Sequence, residues 1–368
     1  MWLLLACTPN YEEDTSHLAE EKREEVPWSP VEKGPYDAGL YSFSFVSSSN
    51  RELYVDVWYP ANKPEVATRA QYEPFSFKGE AYREAPIAKS ETKLLVFSHG
   101  LLSVRFQNYG LCEHLAQHGY TVIAPDHPGT SIFDLGDDIL AHHIFIRPDD
   151  IQSTVDHFWS KVQDENDFVY GLLSSDQYIA MGHSLGSQTV MAIGGATYDY
   201  EAFMSFCAEN PGDRACQIGA DIEPTDMLNY RSNDPRAYAV IPMSPGLWYT
   251  FGEGLSNLRE SMFVTGQQDR VLGYDTEAVP TLAHAPDYPE LYFPKTGHYG
   301  FTEMCTIMPA FSEECTDTSG DFTEPEVLRE ALLGFVLAYI RGSIEEEQEA
   351  MDWLENHGWS DSVLEFRP

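Results

Sequence analysis

The stretch QYIAMGHSLGSQTVMAIGGA, residues 177–196, decides the fold. Its first part, QYIAMGHS, is a short continuous apolar run, the pattern of a strand buried on both faces. Its second part, SQTVMAIGGA, reads as a helix. Between them, Gly182-His183-Ser184-Leu185-Gly186 fits G-x-S-x-G. The two glycines permit a tight strand-to-helix turn that lifts the serine clear of the sheet at a helix N-terminus. A serine presented in this way is a candidate nucleophile, and it requires partners.

Working outward, KLLVFSHG (93–100) and TVIAPD (121–126) are further short apolar strands. FQNYGLCEHLAQHGY (106–120) has helical spacing and a C-cap signal at Gly119. RPDDIQSTVDHFWSKV (147–162) opens with proline and acids and then repeats apolar residues every three or four positions. AYAVIPMSP (237–245), ESMFVTGQQD (260–269) and ELYFPKTGH (290–298) are later strands, and PEVLREALLGFVLAYIRG (325–342) is an apolar helix. GLYSFSFVSS (39–48) and ELYVDVWYP (52–60) read as an antiparallel entry pair, and residues 61–92 as a long polar loop. Strands alternating with helices predict an α/β fold: a mostly parallel central sheet with helices on both faces. The segment 197–236 is too long for a plain connection and is expected to be a lid-like insertion.

A serine hydroxyl becomes nucleophilic when a base, itself held by a carboxylate, takes its proton. On this architecture the acid and then the histidine should each follow a later strand. Asp269 ends ESMFVTGQQD and His298 ends ELYFPKTGH. Asp275 and Asp287 are alternative acids, and His284 and His357 alternative bases, each less directly placed after a strand. An oxyanion would need donors. The N–H of Leu185 and the N–H of Leu101, with Leu102 beside it, are the candidates. His99 reads as a prop for that loop and His183 as a structural neighbour of the nucleophile that borders the substrate. Tyr198, Tyr200, Phe203 and Phe206 of the insertion, with Trp248 and Tyr249 opposite, are expected either to wall the site or to pack a small core of the insertion's own.

The formal net charge is −37, from 59 acidic and 22 basic residues, a balance that repels phosphate backbones and anionic membranes. Nucleic-acid partners are therefore not expected. No histidine–cysteine cluster or G-x-G-x-x-G motif is present, so no metal or other cofactor is expected. The start, MWLLLACTPN, has the Leu-Leu-Ala-Cys of a lipoprotein-type signal, which would make Cys7 a lipid anchor. The expected organisation is 1–7 signal remnant, 8–35 acidic spacer, 36–342 catalytic domain and 343–368 acidic tail helix. The chain is expected to be exported, on the cell envelope or secreted, and monomeric. In such a protein the pairs Cys207/Cys216 and Cys305/Cys315 read as local disulfides, leaving Cys112 free.

LLVFSHGL, LAQHGYTVIAPDHPG, GHSLG, DPRAYAVIPMSP and TGH together resemble the α/β-hydrolase fold. More narrowly, they resemble bacterial esterases of the dienelactone-hydrolase-like and platelet-activating-factor-acetylhydrolase-like kind, related to cutinase-like polyester hydrolases. The resemblance implies Ser184 as nucleophile, Asp269 and His298 as acid and base, and Leu101 and Leu185 as oxyanion donors. Its implied activity is ester hydrolysis through an acyl-enzyme on a neutral ester, small or polymeric, aromatic esters included. The same triad would serve a peptidase or amidase, and a non-catalytic binding lipoprotein is the third reading. Dienelactone hydrolases carry cysteine where this chain has Ser184, so lactone specificity does not transfer. The acetylhydrolases carry their acid after the earlier strand, where this chain has Met243-Ser244-Pro245, which favours Asp269. Ser187 stands where a further glycine is usual.

Overall fold

The computed structural model describes residues 28–66, 68–75, 77–134, 139–308 and 322–367. Cys7, the expected signal remnant and most of the acidic spacer lie outside them, as does Cys315. One sheet runs through the described chain. Its strands are β1 (Asp37–Val46), β2 (Glu52–Ala61), β3 (Arg69–Gln71), β4 (Lys78–Arg83), β5 (Thr92–Ser98), β6 (Thr121–Pro125), β7 (Leu173–His183), β8 (Ala237–Met243), β9 (Phe263–Gly266), β10 (Glu290–Phe293) and β11 (Glu365–Arg367). Their order is β11-β10-β9-β8-β7-β5-β6-β2-β1-β4-β3.

The middle of the sheet is parallel: β6, β5, β7, β8, β9 and β10 all run the same way. These strands are buried on both faces, which is why their sequences are continuous apolar runs rather than alternating ones. One apolar layer joins Leu95, Phe97, Met181 and Ile241 to the helices Tyr109–Gln117 and Pro325–Tyr339. The other joins Leu94, Val96, Ala180 and Val240 to the helices Arg147–Val162 and Leu185–Ile193. The parallel strands are the ones that carry the candidate residues at their C-terminal ends.

Two readings change. Residues 61–92 are not an unbroken loop: β3 and β4 lie within them, and β4 pairs parallel to β1. That edge was hard to read because three- and six-residue strands give no clear period. Past a π-helical turn at Ile340–Ile344, the described tail is helical at Gln348–Glu355. It then returns as β11, antiparallel to β10, where Arg367 binds Glu290 at 2.9 Å. The insertion contains the helices Tyr200–Glu209, Arg214–Ile218 and Pro224–Leu228, tied by a Cys207–Cys216 disulfide. Cys305 is disulfide-bonded and Cys112 is a buried free thiol.

Candidate active site

Ser184 sits between β7 and the helix Leu185–Ile193 with φ 58° and ψ −121°, a strained conformation for a residue with a side chain. Its N–H donates to the Met243 carbonyl at 3.0 Å, which pins the turn to the neighbouring strand. The flanking glycines are required by close approach. A Cβ on Gly182 would stand 2.2 Å from the Gly186 carbonyl oxygen, and one on Gly186 would stand 2.0 Å from that of Ser98. The strain is therefore enforced by backbone packing on both sides of the serine.

Asp269 follows β9 and His298 follows β10, and the topology brings them together. His298 Nδ1–H donates to Asp269 Oδ2 at 2.7 Å, with both side chains almost wholly buried. The other carboxylate oxygen accepts the N–H groups of Leu272 at 2.7 Å and Val271 at 2.9 Å. Burial opposes ionisation of Asp269, but the His298 bond and these two N–H donors outweigh it and hold the carboxyl below its usual range. A proton fixed on Nδ1 leaves Nε2 as the accepting nitrogen. Ser184 and His298 line the same cavity. No hydrogen bond joins their side chains among the described residues. The alternatives lie elsewhere: His284 Nδ1–H donates to the Pro280 carbonyl, and His357 packs on Phe335.

The loop after β5 supplies N–H groups. Gly100 N–H donates to Gln107 Oε1 at 2.8 Å and Leu102 N–H to the Thr130 carbonyl at 2.7 Å. Neither Leu101 N–H nor Leu185 N–H has an acceptor among the described residues. His127 N–H donates to His99 Nε2 at 3.0 Å, which places the His99 proton on Nδ1, where it donates to the Gly100 carbonyl at 2.7 Å. A peptide is planar and trans, so holding the Gly100 oxygen also aims the Leu101 N–H of the same unit. Asn108 then ties this loop to the short turn His298–Phe301, donating from Nδ2 to the Phe301 carbonyl at 2.7 Å.

His183 borders the cavity, and its Nε2–H donates to the His298 carbonyl at 2.8 Å. Burial, and then the neighbouring His298, lower its pKa to about 3, so it is neutral at physiological pH. It props the loop that carries His298.

The cavity measures about 370 Å³, a size suited to a small ligand. Leu101, Leu102, Ile144, Leu185, Leu247 and Tyr249 give it a mostly apolar wall. Trp248, expected beside Tyr249, is not among the lining residues. The short 3-10 turn Trp248–Thr250 turns successive side chains apart, and Trp248 instead stacks on His284 and donates to the Thr276 carbonyl. The aromatics of the insertion are likewise not at the wall. Tyr198 stacks on Phe251, Phe203 packs on Phe145, Phe206 lies flat on Tyr249 at 3.6 Å and Tyr200 bonds within the insertion. They build a core that holds Tyr249 in place. The insertion reaches the cavity through Asp213, Arg214, Ala215 and Ile218. Glu277 also lines it, with Oε2 accepting the Leu247 N–H at 2.8 Å. Burial, joined by the charges of Asp213 and Asp269, raises its pKa to about 7.

The parallel sheet with a strained serine after one strand, and a bonded carboxylate–histidine pair after two later ones, is the arrangement of an α/β hydrolase. Residues 19–133 match the family model of platelet-activating factor acetylhydrolase, isoform II. The chain is thus similar to those acetylhydrolases over the segment that carries the loop after β5. The matched segment ends before Ser184, so the roles of the site residues rest on geometry. No curated protein matches the chain.

Proposed function

We propose that this chain is a serine carboxylic-ester hydrolase working through an acyl-enzyme on neutral esters. The observation that carries the reading is the 2.7 Å Asp269–His298 bond in the wall of the cavity that also holds the strained Ser184. On substrate binding, Ser184 Oγ attacks the ester carbonyl carbon and its proton passes to His298 Nε2. Asp269 stabilises the imidazolium that forms. The carbonyl oxygen becomes an oxyanion facing the N–H groups of Leu101 and Leu185, which are already oriented and uncommitted. Collapse breaks the ester C–O bond, and the alcohol leaves with the proton from His298. Water then repeats the sequence and releases the acid and Ser184. The Ser184–His298 contact, open at rest, closes in this complex.

Asp213 and Glu277 outnumber Arg214, the one cation among the described lining residues, and disfavour anionic substrates, and the aliphatic lining suits a short acyl chain. The bonded cysteines support an oxidising, exported setting. Our reading adds a monomeric chain and a lipid anchor at Cys7, on the Leu-Leu-Ala-Cys motif alone. A panel of nitrophenyl esters of short, long and aromatic acids, with an aromatic polyester film and an aminoacyl anilide, tests the reading. Ester turnover lost in Ser184→Ala supports it. Anilide turnover without ester turnover, or full ester activity in Ser184→Ala, refutes it.

A further inference from the structure

A second Ser–His–Asp arrangement lies behind the oxyanion loop. His127 Nδ1–H donates to Asp150 Oδ2 at 3.0 Å, and Ser98 Oγ lies 3.0 Å from His127 Nε2. With the proton on Nδ1, Nε2 accepts, so Ser98 donates its hydroxyl proton to it. Ser98 Oγ in turn accepts from Arg147 Nη2 at 3.2 Å. All four side chains belong to residues at most 1% exposed, so no substrate reaches them. Accessibility excludes this triad from chemistry, and its contacts give it a different use.

Arg147 Nη2 also donates to the His99 carbonyl, and Nη1 donates to Thr130 Oγ1 at 3.3 Å. His99 is the residue that holds the Gly100 carbonyl, and Thr130 is the residue whose carbonyl engages Leu102 N–H. The guanidinium therefore grips both sides of the peptide whose N–H is free. Asp150 anchors the far end, taking a two-point bond from Arg51 at 2.7 and 2.9 Å. Holding an arginine wholly away from water costs several kcal/mol in general, more than packing alone would repay. An apolar side chain would fill the space at lower cost.

Building on the esterase reading, we propose that Arg147, fixed by the Ser98–His127–Asp150 relay, is a positioning residue that aims the Leu101 N–H at the developing oxyanion. It acts on the transition state and leaves ground-state binding alone. The full chain tests this with Arg147→Met, Arg147→Lys and Ser98→Ala, a neutral nitrophenyl ester, and an arylboronic acid as a tetrahedral mimic. Loss of a single oxyanion donor costs about 100-fold or more, and a misaimed donor should cost about 10- to 100-fold. Arg147→Met should lose that much in kcat with KM within about threefold, and boronate affinity should weaken by a similar factor. Arg147→Lys, which restores a donor to the His99 carbonyl, should recover part of it. A folded Arg147→Met with kcat within about threefold of wild type overturns the proposal, as does a kcat loss without weaker boronate binding. If Arg147→Met does not fold, Arg147→Lys and Ser98→Ala decide by the same two readouts. Wild-type chain that neither hydrolyses esters nor is labelled at Ser184 by a fluorophosphonate sinks both the esterase reading and this one. Normal labelling with unaffected variants sinks this one alone.

Discussion

Replacing Glu277 by glutamine should remove a pH-dependent loss of stability. The carboxyl lies in the cavity wall at 8% exposure, accepts the Leu247 N–H through Oε2, and titrates at about 7 against 4.5 for an ordinary glutamate. Because the folded value is raised, the group is neutral in both states at low pH and costs nothing there. As pH rises, the unfolded chain ionises first, and stability falls until the folded pKa is passed, after which the penalty is constant. Each pH unit of that window is worth about 1.4 kcal/mol, so the full penalty is about 3 kcal/mol. About 2.5 kcal/mol of it should develop between about pH 5 and about pH 8.5. Glutamine keeps an oxygen for the Leu247 N–H and carries no charge. Urea unfolding of both proteins at several pH values reads the difference directly: the two should be similar in stability near pH 5, and Glu277→Gln should be the more stable at high pH. Parallel stability curves, with a gap changing by less than about 0.5 kcal/mol, would refute the reasoning.

Asp269→Asn should keep the fold, because the amide oxygen can still accept from Val271 and Leu272. It should lower kcat by about 10⁴-fold through loss of the fixed His298 tautomer, read by steady-state ester kinetics. Gly186→Ala should destabilise by about 3 kcal/mol or more, since its methyl would meet the Ser98 carbonyl at 2.0 Å, and thermal melting checks this. Cys207→Ser with Cys216→Ser opens a loop of sequence separation 9 and should cost at most about 2.5 kcal/mol. It should raise KM more than it lowers kcat, because Asp213, Arg214 and Ala215 border the cavity from that loop.

The legible part of this chain was the part governed by period and spacing. Continuous apolar runs ending in polar or glycine residues marked the parallel strands, and the residues just beyond β9 and β10 identified Asp269 and His298, which the fold brings to 2.7 Å. The edge strands β3, β4 and β11 were missed because short, half-exposed strands lack a strong hydrophobic signal. The aromatic wall was legible only for Tyr249, for a different reason. A large ring serves a core as readily as a ligand, and only the fold shows that Phe206 lies on Tyr249 while Trp248 lies on His284. Glu277 and Arg147 gave no sequence signal: one is an acid in an acidic chain, the other an arginine at the start of a helix. Their significance comes from burial, which arises only in three dimensions.

The central claim is that Ser184 attacks with His298 as its base. Mass-spectrometric mapping of fluorophosphonate adducts on wild type, Ser184→Ala and His298→Ala tests it most directly. A single adduct on Ser184, absent in Ser184→Ala and formed at least about 100-fold more slowly in His298→Ala, is the expected result. An adduct on another residue, or unchanged labelling without His298, would contradict it.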